Sequence, residues 1–228
     1  MQFAFAPPPV ASIPIADSDS RFPVRRIFCI GRNYADHAKE VGATVDRGNP
    51  VFFCKPADAV VADYAEIAYP QATGELHHEV EMIVALHSGG TGIGAEKALA
   101  CVFGYGVGLD LTRRDLQAAA KAKAMPWDTA KAFDHSAPVS AIHRVDAVGH
   151  PQHVQLTLEV NGCTRQQTDI AQMIWSVAGI IAELSHLFEL KPGDLIFTGT
   201  PAGVGPLVRG DHFLARLQGI AELRGRIV

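Results

Sequence analysis

The run Glu79-Val80-Glu81-Met82-Ile83-Val84-Ala85-Leu86 constrains what this chain can fold into more than any other stretch. Read as a β-strand, it sends alternate side chains to opposite faces. Glu79 and Glu81 then share one face, joined by His77 if the strand extends that far, while Val80, Met82 and Val84 share the other. Ile83 and Ala85 continue the acidic face as apolar groups, so that face too is buried further along. Two carboxylates at the entrance to a buried face repel one another unless protons or a cation neutralise them. A hard divalent cation does this with oxygen ligands, which points to Mg²⁺, Mn²⁺ or Ca²⁺ rather than Zn²⁺. An edge strand whose two glutamates face water fits the same letters.

The remainder of the sequence bounds the setting. A chain of 228 residues fits one large domain, and 48% apolar residues supply a core that needs no disulfide. Cys29, Cys54, Cys101 and Cys163 are widely spaced and form no C-x-x-C pair, which reads as reduced thiols in a cytoplasmic protein. Net charge is -4 with dispersed Lys and Arg, so neither nucleic acid nor an anionic membrane is expected as a partner. No apolar run reaches the length of a membrane span. Residues 1–24 read as an N-terminal leader, kept from helix by Pro7, Pro8 and Pro9. Residues 25–228 form the expected catalytic domain.

Within that domain, Val24 to Ile30 is a first strand, followed by Gly31-Arg32-Asn33-Tyr34 and a short helical stretch, Ala35 to Val41. Residues 42–50 read as an exposed loop suited to a lid. Val51 to Ile83 reads as short strands broken by Pro56, Pro70 and Gly74, with Glu79 to Leu86 as one strand. Asn161-Gly162 marks a hairpin, Lys191-Pro192-Gly193-Asp194 a type II turn, and Asp169 the cap of a long amphipathic helix reaching Leu187. No repeat or βαβ rhythm is present, and the fold class expected is α+β, dominated by strands.

Several residue sets carry chemistry. Asp110 ends the apolar, glycine-rich run Phe103 to Leu109, where an unpaired carboxylate is costly to bury, and it offers a third acid to the pair. His37 and Glu40, three apart in the helical stretch, share a face. A carboxylate on one imidazole nitrogen leaves the other free to take a proton from water, although an ordinary surface pair has the same spacing. Lys131, among Trp127, Ala130, Ala132 and Phe133, is either a charge drawn inward or a snorkelling surface lysine. Thr198-Gly199-Thr200-Pro201-Ala202-Gly203-Val204-Gly205 lacks the Gly-Lys-Ser/Thr end of a phosphate loop. It suits presentation of backbone N–H groups and threonine hydroxyls to a carboxylate.

Taken together, Gly-Arg-Asn-Tyr-Ala-Asp-His at 31–37, His-His-Glu-Val-Glu at 77–81, Gly-Leu-Asp at 108–110 and Thr-Gly-Thr-Pro-Ala-Gly-Val-Gly at 198–205 resemble the motif set of the fumarylacetoacetate hydrolase family. Pro126 to Lys131, Phe133 to Pro138 and Met173 to Val177 are similar to the fumarylpyruvate hydrolases of gentisate breakdown. The resemblance implies a β-rich fold with a rolled mixed sheet, a homodimer, and Mg²⁺ or Mn²⁺ on Glu79, Glu81 and Asp110. It also implies a water-activating dyad of His37 and Glu40, substrate contacts from Lys131 and Gln117, and a pocket lined by Arg32 and Thr200. One position departs from the family, which commonly has glycine where Ala132 stands.

The activity so implied is hydrolytic cleavage of a carbon–carbon bond in a small 2,4-dioxo acid, most simply fumarylpyruvate to fumarate and pyruvate. The cation polarises the 2-oxo acid end, His37 deprotonates water, and Lys131 adds positive charge where the enolate of pyruvate develops. Other acylpyruvates, oxaloacetate decarboxylation and enol–keto isomerisation are compatible with the same residues. A cation-binding interaction domain is the alternative outside catalysis. A dicarboxylic substrate needs a second anion site, with Arg113, Arg114 and Lys121 as unranked candidates.

Overall fold

The computed structural model describes residues 2–42, 48–62 and 65–228. Val80–Leu86 is a strand with every side chain buried, and its alternation divides the interior. Val80, Met82, Val84 and Leu86 enter one apolar core, whereas Ile83 and Ala85 enter a second. The neighbouring strands divide in the same way. Ile27 and Cys29 face the second core and Phe28 and Ile30 the first, while Leu195 and Phe197 face the second and Ile196 the first. Continuous apolar runs are what a sheet covered on both faces requires.

Among the described residues the main sheet is 8-stranded and mixed. Its path runs Val51–Lys55, Arg26–Gly31, Asp194–Phe197, Val80–Leu86, Val102–Leu109, Ala137–Val139 and Val60–Ala62, with His143–Arg144 attached beside Val102–Leu109. Arg26–Gly31 runs parallel to Asp194–Phe197, and Ala137–Val139 parallel to Val60–Ala62. A 5-stranded sheet containing Gln155–Val160, Cys163–Asp169, His212–Leu217 and Ala221–Ile227 covers the first core, together with the helix Val177–Leu187. From the N-terminal segment, Ile13, Phe22 and Val24 are buried in the second core.

Local chemistry explains the connections. Asn161 and Gly162 both take positive φ (53° and 75°), the conformation of a tight hairpin turn. Gly193, at φ 91°, occupies the third place of its turn behind Pro192, and Asp194 N donates to Lys191 O. Two elements differ from the sequence reading. Glu79 interrupts the expected strand, so Leu76–His78 belongs to a separate 3-stranded sheet with Thr112–Arg113 and Gly205–Leu207. The helix expected from Asp169 is also split. Asp169 caps only the 3-10 turn Ile170–Gln172, and Ser176 caps Val177–Leu187. Between them the backbone N–H groups of Ile174 and Trp175 donate to the main-chain and side-chain oxygens of Asn33 (2.8 and 2.7 Å). Donors committed to another segment cannot continue a helix.

The strand Val102–Leu109 carries glycines on the face crossed by residues 138–143. A Cβ on Gly108 would stand 2.8 Å from Pro138 O and 3.0 Å from Ile83 Cδ1, a contact only glycine avoids. Gly108→Ala is therefore expected to lower stability by about 1–3 kcal/mol through overpacking. Urea denaturation measures this, and an unchanged midpoint would contradict the close approach.

Candidate active site

Backbone pairing assembles the acids. Val80 pairs with Leu109 and Glu81 with Gly108, and the ladder continues one step further, with Asp110 N donating to Glu79 O (2.9 Å). Oxygen atoms of Glu79, Glu81 and Asp110 consequently lie within 4.8 Å of one another, and all three residues are buried. Glu81 Oε2 accepts a hydrogen bond from Gly199 N (2.6 Å), which joins the acids to the loop at 198–205.

Positive groups surround two of the three. Lys131 Nζ donates to Glu79 Oε2 (2.7 Å), Asp110 Oδ2 (2.6 Å) and Thr112 Oγ1 (2.7 Å). Arg114 donates to Glu79 Oε1 (2.5 Å) and to Gln117 Oε1 (2.6 Å). Lys55 Nζ donates to the carbonyls of Leu111 and Lys131 and lies 2.8 Å from Asp110 Oδ1. That last approach is close but not aligned for a hydrogen bond, and Oδ1 is a buried acceptor left without one. Glu81 has no ion pair among the described residues.

The electrostatics follow from these contacts. Burial raises the Glu79 carboxyl, but Lys131 and Arg114 outweigh it and hold the group well below the usual carboxylate range. Glu81 goes the other way, raised by burial first and then by the negative charges of Asp110 and Glu79. Burial lowers Lys131, Asp110 and Glu79 more than compensate, and its ammonium is pushed up to about 12. A buried Asp110 oxygen without a hydrogen bond, beside a third carboxylate that burial and its acidic neighbours disfavour as an anion, fits a hard divalent cation.

The histidine dyad reaches the same cleft. His37 is buried on the helix Ala35–Glu40, and its Nδ1 lies 3.2 Å from Glu40 Oε2. Gly203 N donates to both oxygens of Glu40 (3.0 and 3.2 Å), so the loop at 198–205 orients the carboxylate that orients the imidazole. Burial lowers His37 below its ordinary 6.5, with Glu79 and Glu40 only partly restoring it. A neutral imidazole with one nitrogen engaged is a competent base.

Of the catalytic, metal and substrate residues expected from the sequence, Arg32, His37, Glu79, Glu81, Asp110, Gln117, Lys131 and Thr200 line one cleft, and Glu40 stands behind His37. Ala132 takes φ -105°, an ordinary value, so the missing glycine leaves Lys131 in place. Of the distal-anion candidates, Arg114 and Lys121 line the cleft, but Arg113 does not. Its guanidinium lies 4.3 Å from the Phe133 ring and donates to Thr129 O. The expected lid at 42–50 falls largely on 43–47, outside the described residues.

Three residues escaped the sequence reading. Lys55 supports Asp110 and the Lys131 backbone from below. Gln166 accepts from Val80 N (3.0 Å), pairs with His78 Nδ1 (3.0 Å) and donates to Thr200 Oγ1 (2.8 Å) and Pro201 O (2.9 Å). Asn33 donates to Trp175 O and Thr198 O. If the three carboxylates hold the cation, Glu81→Gln and Asp110→Ala should each weaken Mn²⁺ binding by about tenfold or more, as read by calorimetric titration. Wild-type affinity in both variants would place the cation elsewhere.

Comparison with known proteins accords with this geometry. The family described as fumarylacetoacetate (FAA) hydrolase C-terminal matches residues 26–228. A crystal structure of fumarylpyruvate hydrolase from Pseudomonas aeruginosa in complex with Mn²⁺ and pyruvate is 49% identical, covers 100% of this chain and 99% of its own, and superposes with a TM-score of 0.97. An oxaloacetate tautomerase of Escherichia coli (strain K12) is 43% identical over 199 residues, 87% of this chain and 90% of that protein. A fumarylpyruvate hydrolase from Ralstonia sp is 40% identical over 185 residues, 80% of this chain and 96% of that protein. The β-rich mixed-sheet fold, the acid cluster and the match over 26–228 together establish that this chain belongs to the fumarylacetoacetate hydrolase family.

Proposed function

We propose that this enzyme hydrolyses a carbon–carbon bond of a 2,4-dioxo acid, with fumarylpyruvate as the substrate and fumarate and pyruvate as products. The observation that carries the reading is the buried His37, held by Glu40 in the cleft that contains the three acids. Whole-chain similarity to the fumarylpyruvate hydrolase of Pseudomonas aeruginosa supports it.

A bound Mg²⁺ or Mn²⁺ on Glu79, Glu81 and Asp110 supplies Lewis acidity at the 2-oxo acid end of the substrate. With Nδ1 engaged by Glu40, His37 takes a proton from water through Nε2, and the oxygen attacks the 4-carbonyl. The C3–C4 bond then breaks, and its electron pair leaves on pyruvate as the enolate. Lys131 contributes fixed positive charge where that enolate develops, and a returned proton completes pyruvate. Gln117, Arg32 and Thr200 line the walls of the cleft, with Gln117 at the keto-acid portion of the substrate.

A second reading has a specific ground, the 43% identity to an oxaloacetate tautomerase. Tautomerisation uses the same base and the same polarised 2-oxo acid but consumes no water. Oxaloacetate decarboxylation likewise needs no attacking water. Assays on fumarylpyruvate, acetylpyruvate and oxaloacetate with Mg²⁺ and Mn²⁺ separate the three, and interconversion of oxaloacetate tautomers without acylpyruvate cleavage would favour the second reading.

For the hydrolase, His37→Ala should lose acylpyruvate cleavage by about 100-fold or more while retaining Mn²⁺. Full activity after chelation and dialysis is incompatible with the mechanism. The pH profile gives a separate check. The base works as neutral imidazole, the form present above its pKa, and burial lowers that pKa from 6.5. The acid limb of kcat/KM should therefore fall below pH 6.5; a limb midpoint above about 7, roughly that of a histidine with a raised pKa, would remove His37 as the base.

A further inference from the structure

The cleft holds more positive groups than its acids engage. Lys131, Lys55 and Arg114 are taken up by Glu79 and Asp110. Arg32 and Lys121 also line the cleft, yet among the described residues neither has a carboxylate partner. Arg32 follows the strand Arg26–Gly31 at φ 61°, a conformation few side chains adopt. Lys121 is exposed at the rim, its ammonium 5.3 Å from the Trp127 ring. Partial burial and the charges of Arg114 and Arg32 hold that ammonium below the usual lysine range. Glu79 opposes this only in part, and positive charge that no acid pairs among the described residues forms a site for an anion.

Spacing along the helix Arg114–Ala122 gives the site a position. Arg114, Gln117 and Lys121 follow one another on one face. Arg114 meets Glu79 at the acid end, and Lys121 lies about 10 Å further along the axis, at about 1.5 Å per residue. The two carboxyl carbons of an extended seven-carbon dioxo diacid are roughly 7–8 Å apart, at about 1.2–1.3 Å advance per bond. Between the two ends the cleft wall includes Phe53 and Trp127, edge to face at 6.0 Å, a surface for a flat unsaturated arm.

We infer that Arg32 and Lys121 form the subsite for the distal carboxylate of the acyl arm and select dicarboxylic over monocarboxylic acylpyruvates. The substrate's identity rests on the hydrolase reading above, whereas the charge preference can be measured without turnover.

The test compares kcat/KM for fumarylpyruvate and for acetylpyruvate, which ends in a methyl group, using Mn²⁺-loaded enzyme. The ratio of the two should fall by about tenfold or more in Lys121→Gln and in Arg32→Gln, the loss of a charge-assisted contact to one substrate alone. An unchanged ratio in Lys121→Gln, an exposed helix position that tolerates substitution, overturns the subsite. A ratio unchanged in a folded Arg32→Gln overturns the pairing. Calorimetric binding of both acids to Mn²⁺-loaded His37→Ala, with and without Lys121→Gln, separates the two proposals. Should the wild type hydrolyse neither acid, the functional reading fails. Loss of the dianion's binding advantage in the double variant still supports the subsite, and equal discrimination with and without Lys121 overturns it.

Discussion

The backbone hydrogen bond from Asp110 to Glu79 forces two buried carboxylates together, and much of the site answers to that constraint. Carboxylates taken from water into a sheet interior are unfavourable unless charge of opposite sign reaches them. Lys131 reaches both, Arg114 reaches Glu79, and Lys55 reaches Asp110 from the opposite side. Removing one partner of such a buried pair costs about 3–5 kcal/mol, because the survivor stays buried without compensation. The cluster is therefore held as a unit. Its least engaged members, Glu81 and the Asp110 oxygen that Lys55 approaches without a hydrogen bond, lie where a divalent cation could add the missing positive charge.

The loop at 198–205 couples this charge cluster to the base. Gly199 N holds Glu81, Gly203 N holds Glu40, and Gln166 ties Thr200 to the strand beside the acids. Asn33 fastens the other side, bonding Thr198 and the 174–175 backbone from the turn just before the dyad helix. His37 is thus referenced to the acids through backbone donors instead of long flexible side chains. Such donors lose little freedom when a ligand binds, and they keep a proton acceptor at a defined distance from the cation site.

Features encoded by neighbouring residues were legible before the fold. The alternation in Val80–Leu86 gave both cores their faces, and Asn161-Gly162 and Pro192-Gly193 marked their turns. The acids were legible because carboxylates beside apolar runs demand a reason. Lys55 was not, since a lysine at a strand end before proline reads as exposed; its burial depends on Asp110 and on Lys131, 76 residues away. Gln166, 88 residues from His78, was hidden for the same reason, sitting in a polar strand whose register only the folded sheet reveals. The split before Val177 was likewise invisible, because helical periodicity cannot register that Asn33 takes the donors the helix needs.

A site of this kind separates reaction type from substrate choice. Polarising a 2-oxo acid requires the acids, the cation and Lys131, groups that serve hydrolysis, decarboxylation and tautomerisation alike. What differs among those reactions is the arm beyond the keto acid and whether water has room beside His37. Oxaloacetate is short: its second carboxylate stays near the cation end, and roughly 10 Å of helix from Arg114 to Lys121 offers it no contact at the rim. A longer diacid, its carboxyl carbons roughly 7–8 Å apart, reaches toward the rim and brings its distal charge to Arg32 and Lys121, the cleft cations without acid partners among the described residues. Discrimination then arises from a contact one substrate makes and the other cannot, at the end of the cleft opposite the reacting bond. Binding energy released there can hold the 4-carbonyl against water on His37, which ties the choice of substrate to the choice of reaction.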